Sequence, residues 1–284
     1  MDGSEVQVLL CHYDFRSNPA SLAEYDCLRR CRDSRRGVLL RVRRGGPRTV
    51  VASGEGAQLA VAAAQGACRH LNHAQVYDID LFENPASTVK TLHDQGRKVI
   101  CYMSGGSWEP YRPDAGDFPD SVKSGPVPEW DDERWLDVKQ IDVLKPLMAK
   151  RMDLCKQKGF DGVEPDWADL HNQDTGDLVI TAAEQLAYNR MLAGLAHDRG
   201  LAIGLKNDLD QVSTLSGLFD FAVNEQCFEE RATCAKLTPF IGAGKPVFHA
   251  EYNLKPADFC ADATRLGFSS IRKNRELDAW RGTC

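Results

Sequence analysis

Short apolar runs alternate with helix-spaced patterns along most of this chain. Val76 to Asp80, Val99 to Met103, Trp135 to Val138, Phe160 to Asp166, Ala202 to Leu205, Phe221 to Val223, Val247 to Ala250 and Phe268 to Arg272 read as strands. Between them, Val89 and Leu92 mark a helix face that Gly96 closes, with Asn84 as N-cap and Pro85 in the first turn. Leu144, Leu147, Met148 and Cys155 mark a second helix, ended by Gly159. Thr181-Ala182-Ala183-Glu184 is a capping box. It opens a third helix with the stripe Leu186, Ala187, Met191, Leu195 and Ala196, closed by Gly200. Ser107 to Glu133, rich in Pro, Gly, Asp and Trp, reads as a long loop of the kind that carries function.

Eight strands result, centred near Ile79, Ile100, Leu136, Val163, Ile203, Ala222, Phe248 and Ser270. Strands that alternate with helices imply an α/β class and a parallel sheet, and eight such units imply a (β/α)8 TIM barrel. A doubly wound open sheet competes. It would want a glycine-rich phosphate loop after its first strand, and Asp80-Leu81-Phe82-Glu83-Asn84 is not one. The barrel is expected over 74–284. Residues 1–73 are expected to form an atypical Arg-rich N-terminal extension, with a weak helix over Ala57 to Ala67 and, on the sharper reading, a basic anchoring arm.

Charge sharpens this division. The formal charge of −6 argues against a nucleic-acid partner. Residues 1–70 carry eleven Arg, no Lys and seven acids, so the remainder holds about −10, a field that attracts cations. No apolar run reaches transmembrane length, and no membrane partner is expected. Ten Cys occur without a Cys-x-x-Cys pair or zinc-like spacing, so no metal is expected. Cys227 and Cys234 bracket a short loop, and Cys260 and Cys284 bracket the C-terminal unit. Cys101, inside an apolar strand, reads equally well as a buried free thiol. The cysteine count points to an extracellular protein, although Met1 to Tyr13 lacks the pattern of a signal peptide.

Five of the strands finish in acid: Asp80, Asp166, Asp208, Glu225 and Glu251. Any one of these alone reads as a salt bridge or loop cap. Five on the C-terminal mouth of one barrel read as a site for a cationic or hydroxyl-rich ligand. Asp166 ends the fourth strand in this count and Glu225 the sixth, which lets two carboxyls face a sugar from opposite sides. Lys206 lies between them and favours an ionised Asp166, and Asn224 is placed to hold a hydroxyl. Trp108, Tyr111, Trp130, Trp167 and Tyr252 follow strands and offer rings for sugar faces.

Val76 to Phe82, Val99 to Tyr102, Gly106-Ser107-Trp108-Glu109, Arg112-Pro113-Asp114, Gly159 to Asp166, Gly204 to Asp208 and Asn224-Glu225-Gln226-Cys227 together resemble glycoside hydrolase family 114, the endo-α-1,4-polygalactosaminidases. The resemblance covers about residues 74–284. It implies a (β/α)8 glycosidase, secreted and monomeric, acting without cofactor on galactosamine-containing polysaccharide. Asp166 would be the nucleophile and Glu225 the acid/base of a retaining pair. Asp80, Tyr102, Glu164, Lys206, Asn207, Asp208, Asn224, Glu251 and Tyr252 would bind substrate. Two other readings compete: a metal-dependent barrel lyase with Asp166, Asp208 and Glu225 on Mg²⁺, and a non-catalytic carbohydrate binder. The N-terminal 70 residues depart from the family, because they lack the Trp/Gln-rich segment that usually precedes the first motif.

Overall fold

The computed structural model describes residues 8–11 and 74–284, apart from 129, 231, 232, 276, 278 and 279. The expected helix over Ala57 to Ala67 and the basic arm lie outside the described residues. Eight parallel strands run side by side: β1 (Val8–Cys11), β2 (Val76–Asp80), β3 (Lys98–Ser104), β7 (Gly162–Asp166), β8 (Ala202–Lys206), β9 (Phe221–Glu225), β10 (Val247–Glu251) and β11 (Ser269–Arg272). The sheet curls until β11 returns against β1, a (β/α)8-like barrel. A two-residue strand, β12 (Gly282–Thr283), pairs antiparallel with β11. No helix among the described residues is long and apolar enough to cross a membrane.

Two strand assignments need correction. Trp135 and Leu136 belong to β6 (Trp130–Leu136), which joins β4 (Ser107–Trp108) and β5 (Lys123–Val127) in a separate antiparallel sheet. Ser107 to Glu133 is therefore a folded excursion from the end of β3 rather than a loop. The first barrel strand is β1, which lies within the segment expected to form the N-terminal extension and pairs with β2 from Val8 opposite Val76 to Cys11 opposite Ile79. The two errors cancel, so Asp166 still ends the fourth barrel strand and Glu225 the sixth.

The strands read as apolar runs because both of their faces are covered. Val76, Ile100, Phe221, Val223, Phe248, Ala250 and Ile271 form one buried cluster. The covering helices are α1 (Ala86–Asp94), α2 (Ile141–Lys158), α3 (Ala182–Asp198), the short α4 (Val212–Leu215) and α5 (Thr238–Gly242), and α6 (Pro256–Leu266). Helix α1 buries Val89 and Leu92 as the spacing requires, but its N-cap is Pro85. Asn84 is drawn away because its side chain donates to the Asp80 carbonyl at 3.0 Å. Helix α2 stops at Gly159, whose φ of +91° a side chain would disfavour. Its buried face carries Arg151 in line with Leu144, Leu147, Met148 and Cys155.

Helix α3 has the expected capping box. Glu184 N donates to Thr181 Oγ1 at 3.2 Å, and Thr181 N donates to Glu184 Oε2 at 2.8 Å. Its buried stripe, however, is Gln185, Tyr188, Asn189, Leu192, Ala193, Leu195 and Ala196, while Leu186 and Met191 are half-buried and Ala187 is exposed. The face turns because three polar groups have inward partners. Gln185 accepts from Leu170 N, Asn189 donates to the Ala168 carbonyl, and Tyr188 OH donates to the Gly105 carbonyl. These bonds hold the loops that follow β3 and β7.

Three disulfides staple the described part of the chain. Cys227–Cys234 and Cys260–Cys284 close the segments that those residues bracket. Cys101, open to a free-thiol reading, is bonded to Cys155 and ties β3 to α2.

Candidate active site

The C-terminal ends of the barrel strands share one face, and their registers bring the site together. Tyr102 lies opposite Glu164, Ser104 opposite Asp166, and Lys206 opposite Val223, one residue before Asn224-Glu225. At the centre is the Lys206 ammonium, buried and in contact with three carboxylates. It lies 3.0 Å from Asp166 Oδ1, 3.2 Å from Glu164 Oε1 and 3.5 Å from Glu225 Oε2. Two of these distances limit the separation of Asp166 Oδ1 and Glu225 Oε2 to at most about 6.5 Å, a limit that admits the spacing of a retaining glycosidase pair.

Burial works against a charged lysine, but Asp166, Glu164 and Glu225 outweigh it and hold the Lys206 ammonium well above the ordinary lysine range. Burial raises Glu164, which Lys206 partly offsets. Tyr102 OH donates to Asp166 Oδ2 at 3.0 Å, and Trp167 N donates to Asp166 Oδ1 at 2.8 Å. Tyr252 OH donates to Glu225 Oε1. Burial, with the facing carboxylates, keeps both phenols well above their usual range, so they act as donors.

The backbone is strained where it leaves the site. Trp167 follows Asp166 at φ 59°, Asn207 follows Lys206 at φ 50°, and Gln226 follows Glu225 at φ 62°. A left-handed conformation at a residue with a side chain costs on the order of 1–2 kcal/mol. Three such residues directly after three site side chains mark turns held for their geometry rather than their comfort. Asn207 shows the use: its Oδ1 accepts from Glu225 N at 2.9 Å and Asn224 Nδ2 at 3.1 Å, which fixes the end of β9.

The other strand-end acids are engaged on the shoulders of the mouth. Asp80 Oδ2 meets Arg112 at 2.7 Å, while its Oδ1 accepts from Phe82 N and Glu83 N. Glu251 Oε1 accepts from Phe228 N at 2.8 Å and lies 2.9 Å from His249 Nε2. Asp208 Oδ2 accepts from Asn189 Nδ2 at 2.8 Å, and burial with nearby Asp169 pushes its carboxyl up to about 8. Asp166, Glu225, Glu164, Lys206, Tyr102 and Tyr252 thus gather around one ammonium. Asp80, Asp208 and Glu251 stand in networks around them.

Several residues to which the sequence assigns no site role support this arrangement. Arg112 joins Asp80 to Glu109 at 2.7 Å, and Arg151 pairs with Asp114 at 2.7 Å while donating to the Ser104 carbonyl at 2.8 Å. The signal for Arg151 was there, because an arginine occupies an apolar-stripe position of α2. Glu109 stands in a motif of the resemblance without a stated role, and Glu133 lies at the end of the segment that reads as a long loop.

The architecture has counterparts among known proteins. Residues 44–284 match the model of glycoside-hydrolase family GH114. The structure is similar to Ega3 of Aspergillus fumigatus, solved in complex with galactosamine: 37% identity, 75% of this chain and 88% of that one, TM-score 0.70. The glycoside hydrolase domain of PelA from Pseudomonas aeruginosa shares the fold at 15% identity, 76% and 93% coverage, and TM-score 0.59. No curated protein matches the chain. A barrel with this mouth, matched over most of its length and to a solved relative, belongs to glycoside-hydrolase family GH114 and is an O-glycosyl hydrolase.

Proposed function

We propose that the chain hydrolyses α-1,4-linked galactosamine-containing polysaccharide with retention of configuration. Asp166 attacks the anomeric carbon while Glu225 protonates the departing glycosidic oxygen. Glu225 then takes a proton from water as that water displaces Asp166. The observation that carries this reading is the shared contact of Asp166 and Glu225 with the Lys206 ammonium, which keeps them within one sugar's width. The bound of about 6.5 Å lies at the floor of the inverting range and accommodates the retaining one.

Each neighbour has a task on this reading. Lys206, Tyr102 and Trp167 N hold the Asp166 carboxyl in place and aimed. Tyr252 and Asn207 orient Glu225. With Glu225 protonated as the acid, Asp166 and Glu164 still set two carboxylates against one ammonium, which suits a transition state with positive charge on the sugar ring. Galactosamine is named because a relative 37% identical was solved with that sugar bound, and because a cationic polymer suits a body of about −10. Three disulfides fit an extracellular workplace.

The Mg²⁺-lyase reading is less well supported. Lys206 already stands between Asp166 and Glu225, and Asp208 is bonded to Asn189. Incubation with partly deacetylated galactosamine polymer, with products read by mass spectrometry and proton NMR, tests the proposal. Shorter oligosaccharides whose new reducing ends first appear as the α-anomer are expected. Release of β-anomers, or no products, would reject it.

A further inference from the structure

Strand β6 carries a carboxylate that the mechanism above does not use. Glu133 is 7% exposed and reaches the site through two short links. Ser107 Oγ donates to Glu133 Oε2 at 2.7 Å and lies 2.8 Å from Ser104 Oγ, and Ser104 stands opposite Asp166 in the ladder. Two residues along the same face of β6, Trp135 meets Trp167 edge-on at 4.8 Å, and Trp167 directly follows Asp166. The other Glu133 oxygen accepts from Tyr111 OH at 2.9 Å, and the Tyr111 ring is 47% exposed.

The partners of Glu133 are both neutral hydroxyls. Among the described residues no Lys, Arg or His lies within 4.0 Å of its carboxylate, whereas neighbouring Glu109 pairs with Arg112 at 2.7 Å. Glu109 itself leaves Oε2 buried without a hydrogen-bond donor, with Arg151 3.9 Å away. An acid kept in a nearly buried position without a cation is costly. Burial and Glu109 push the Glu133 carboxyl up to about 7, so it is part-charged near neutrality and takes a cation readily. Packing alone would be served as well by glutamine, which can bond the same two hydroxyls.

We propose that Glu133 recognises the protonated amino group of a 2-amino sugar seated beside Asp166, so that this subsite selects a free amine over an acetamide. The assignment rests on the galactosamine reading above and deepens it. Tyr111 and Ser107 orient the carboxylate, and the sugar's ammonium supplies the missing positive charge.

Titration calorimetry of the full chain with galactosamine oligosaccharides and with their N-acetylated counterparts tests this. The wild type is expected to prefer the free amine. Glu133→Gln is expected to lose about 10- to 100-fold in affinity for the free-amine sugars, the range of a charge-assisted hydrogen bond, and to keep its affinity for the acetylated ones. Glu133→Asp keeps the charge and is expected to keep the preference, which decides the matter if the Gln variant folds poorly. Equal weakening toward both sugars, an unchanged preference in Glu133→Gln, or its loss in Glu133→Asp would overturn the assignment alone. A wild type that binds neither sugar would overturn the galactosamine reading, and this assignment with it.

Discussion

Replacing Lys206 with methionine keeps most of the side chain's volume and removes only its charge. The ammonium contacts Asp166, Glu164 and Glu225 at 3.0, 3.2 and 3.5 Å. Glu164 is fully buried, while the side chains of Asp166 and Glu225 are 18% and 23% exposed. Breaking a buried ion pair from one side costs about 3–5 kcal/mol, because a charge is left behind. Here one cation serves three anions, two of which reach solvent, and we expect a loss of about 4 kcal/mol at pH 7. The sign with pH follows from the direction of the shift. Lys206 is held well above the ordinary lysine range, so its contribution is present at all lower pH and lost only as pH rises through that raised value. In the variant the three acids lack their cation and are stabilised by protonation. The deficit should therefore shrink between pH 7 and about pH 4.5. Urea unfolding followed by tryptophan fluorescence, on both proteins at both pH values, measures this. A variant within about 1 kcal/mol of wild type at pH 7, or a deficit that does not change with pH, would refute the idea that Lys206 neutralises the cluster.

Three further outcomes are expected. The Asp208 carboxyl is raised from 3.8 to about 8, so its contribution to stability is present below pH 3.8 and lost as pH rises through about 8. Asp208→Asn should therefore gain on wild type in melting temperature as pH climbs through that window, and thermal scans across it decide. Cys101→Ser with Cys155→Ser opens a loop of sequence separation 54 and should cost about 4 kcal/mol on the loop-closure model, read by denaturant titration. Tyr252→Phe removes the hydroxyl that donates to Glu225 and should lower kcat about 10- to 100-fold with little change in melting temperature, measured on galactosamine polymer.

Much of the site was legible because a barrel strand leaves a plain trace, an apolar run stopped by a carboxylate. Asp166, Glu225 and Lys206 follow from that trace and are gathered at one point. The strand count was less secure. Four residues, Val8–Cys11, are too few to show a period, and the sequence separates them from their partner β2 by more than sixty residues. Trp135 and Leu136 are buried, as barrel residues would be, and nothing local tells an antiparallel excursion from a barrel strand. In α3 the apolar stripe misled, because Gln185 and Asn189 are buried by partners in loops distant along the chain. Cys101 was ambiguous for the same reason: its partner Cys155 lies on a helix whose rotation only the packing fixes.

The most direct test of the account is turnover of galactosamine polymer by Asp166→Asn and by Glu225→Gln, with sugar binding and melting temperature measured alongside. Loss of at least about 1,000-fold in kcat in each, with folding and binding kept, is the predicted result. Hydrolysis at near wild-type rate by either folded variant would contradict it.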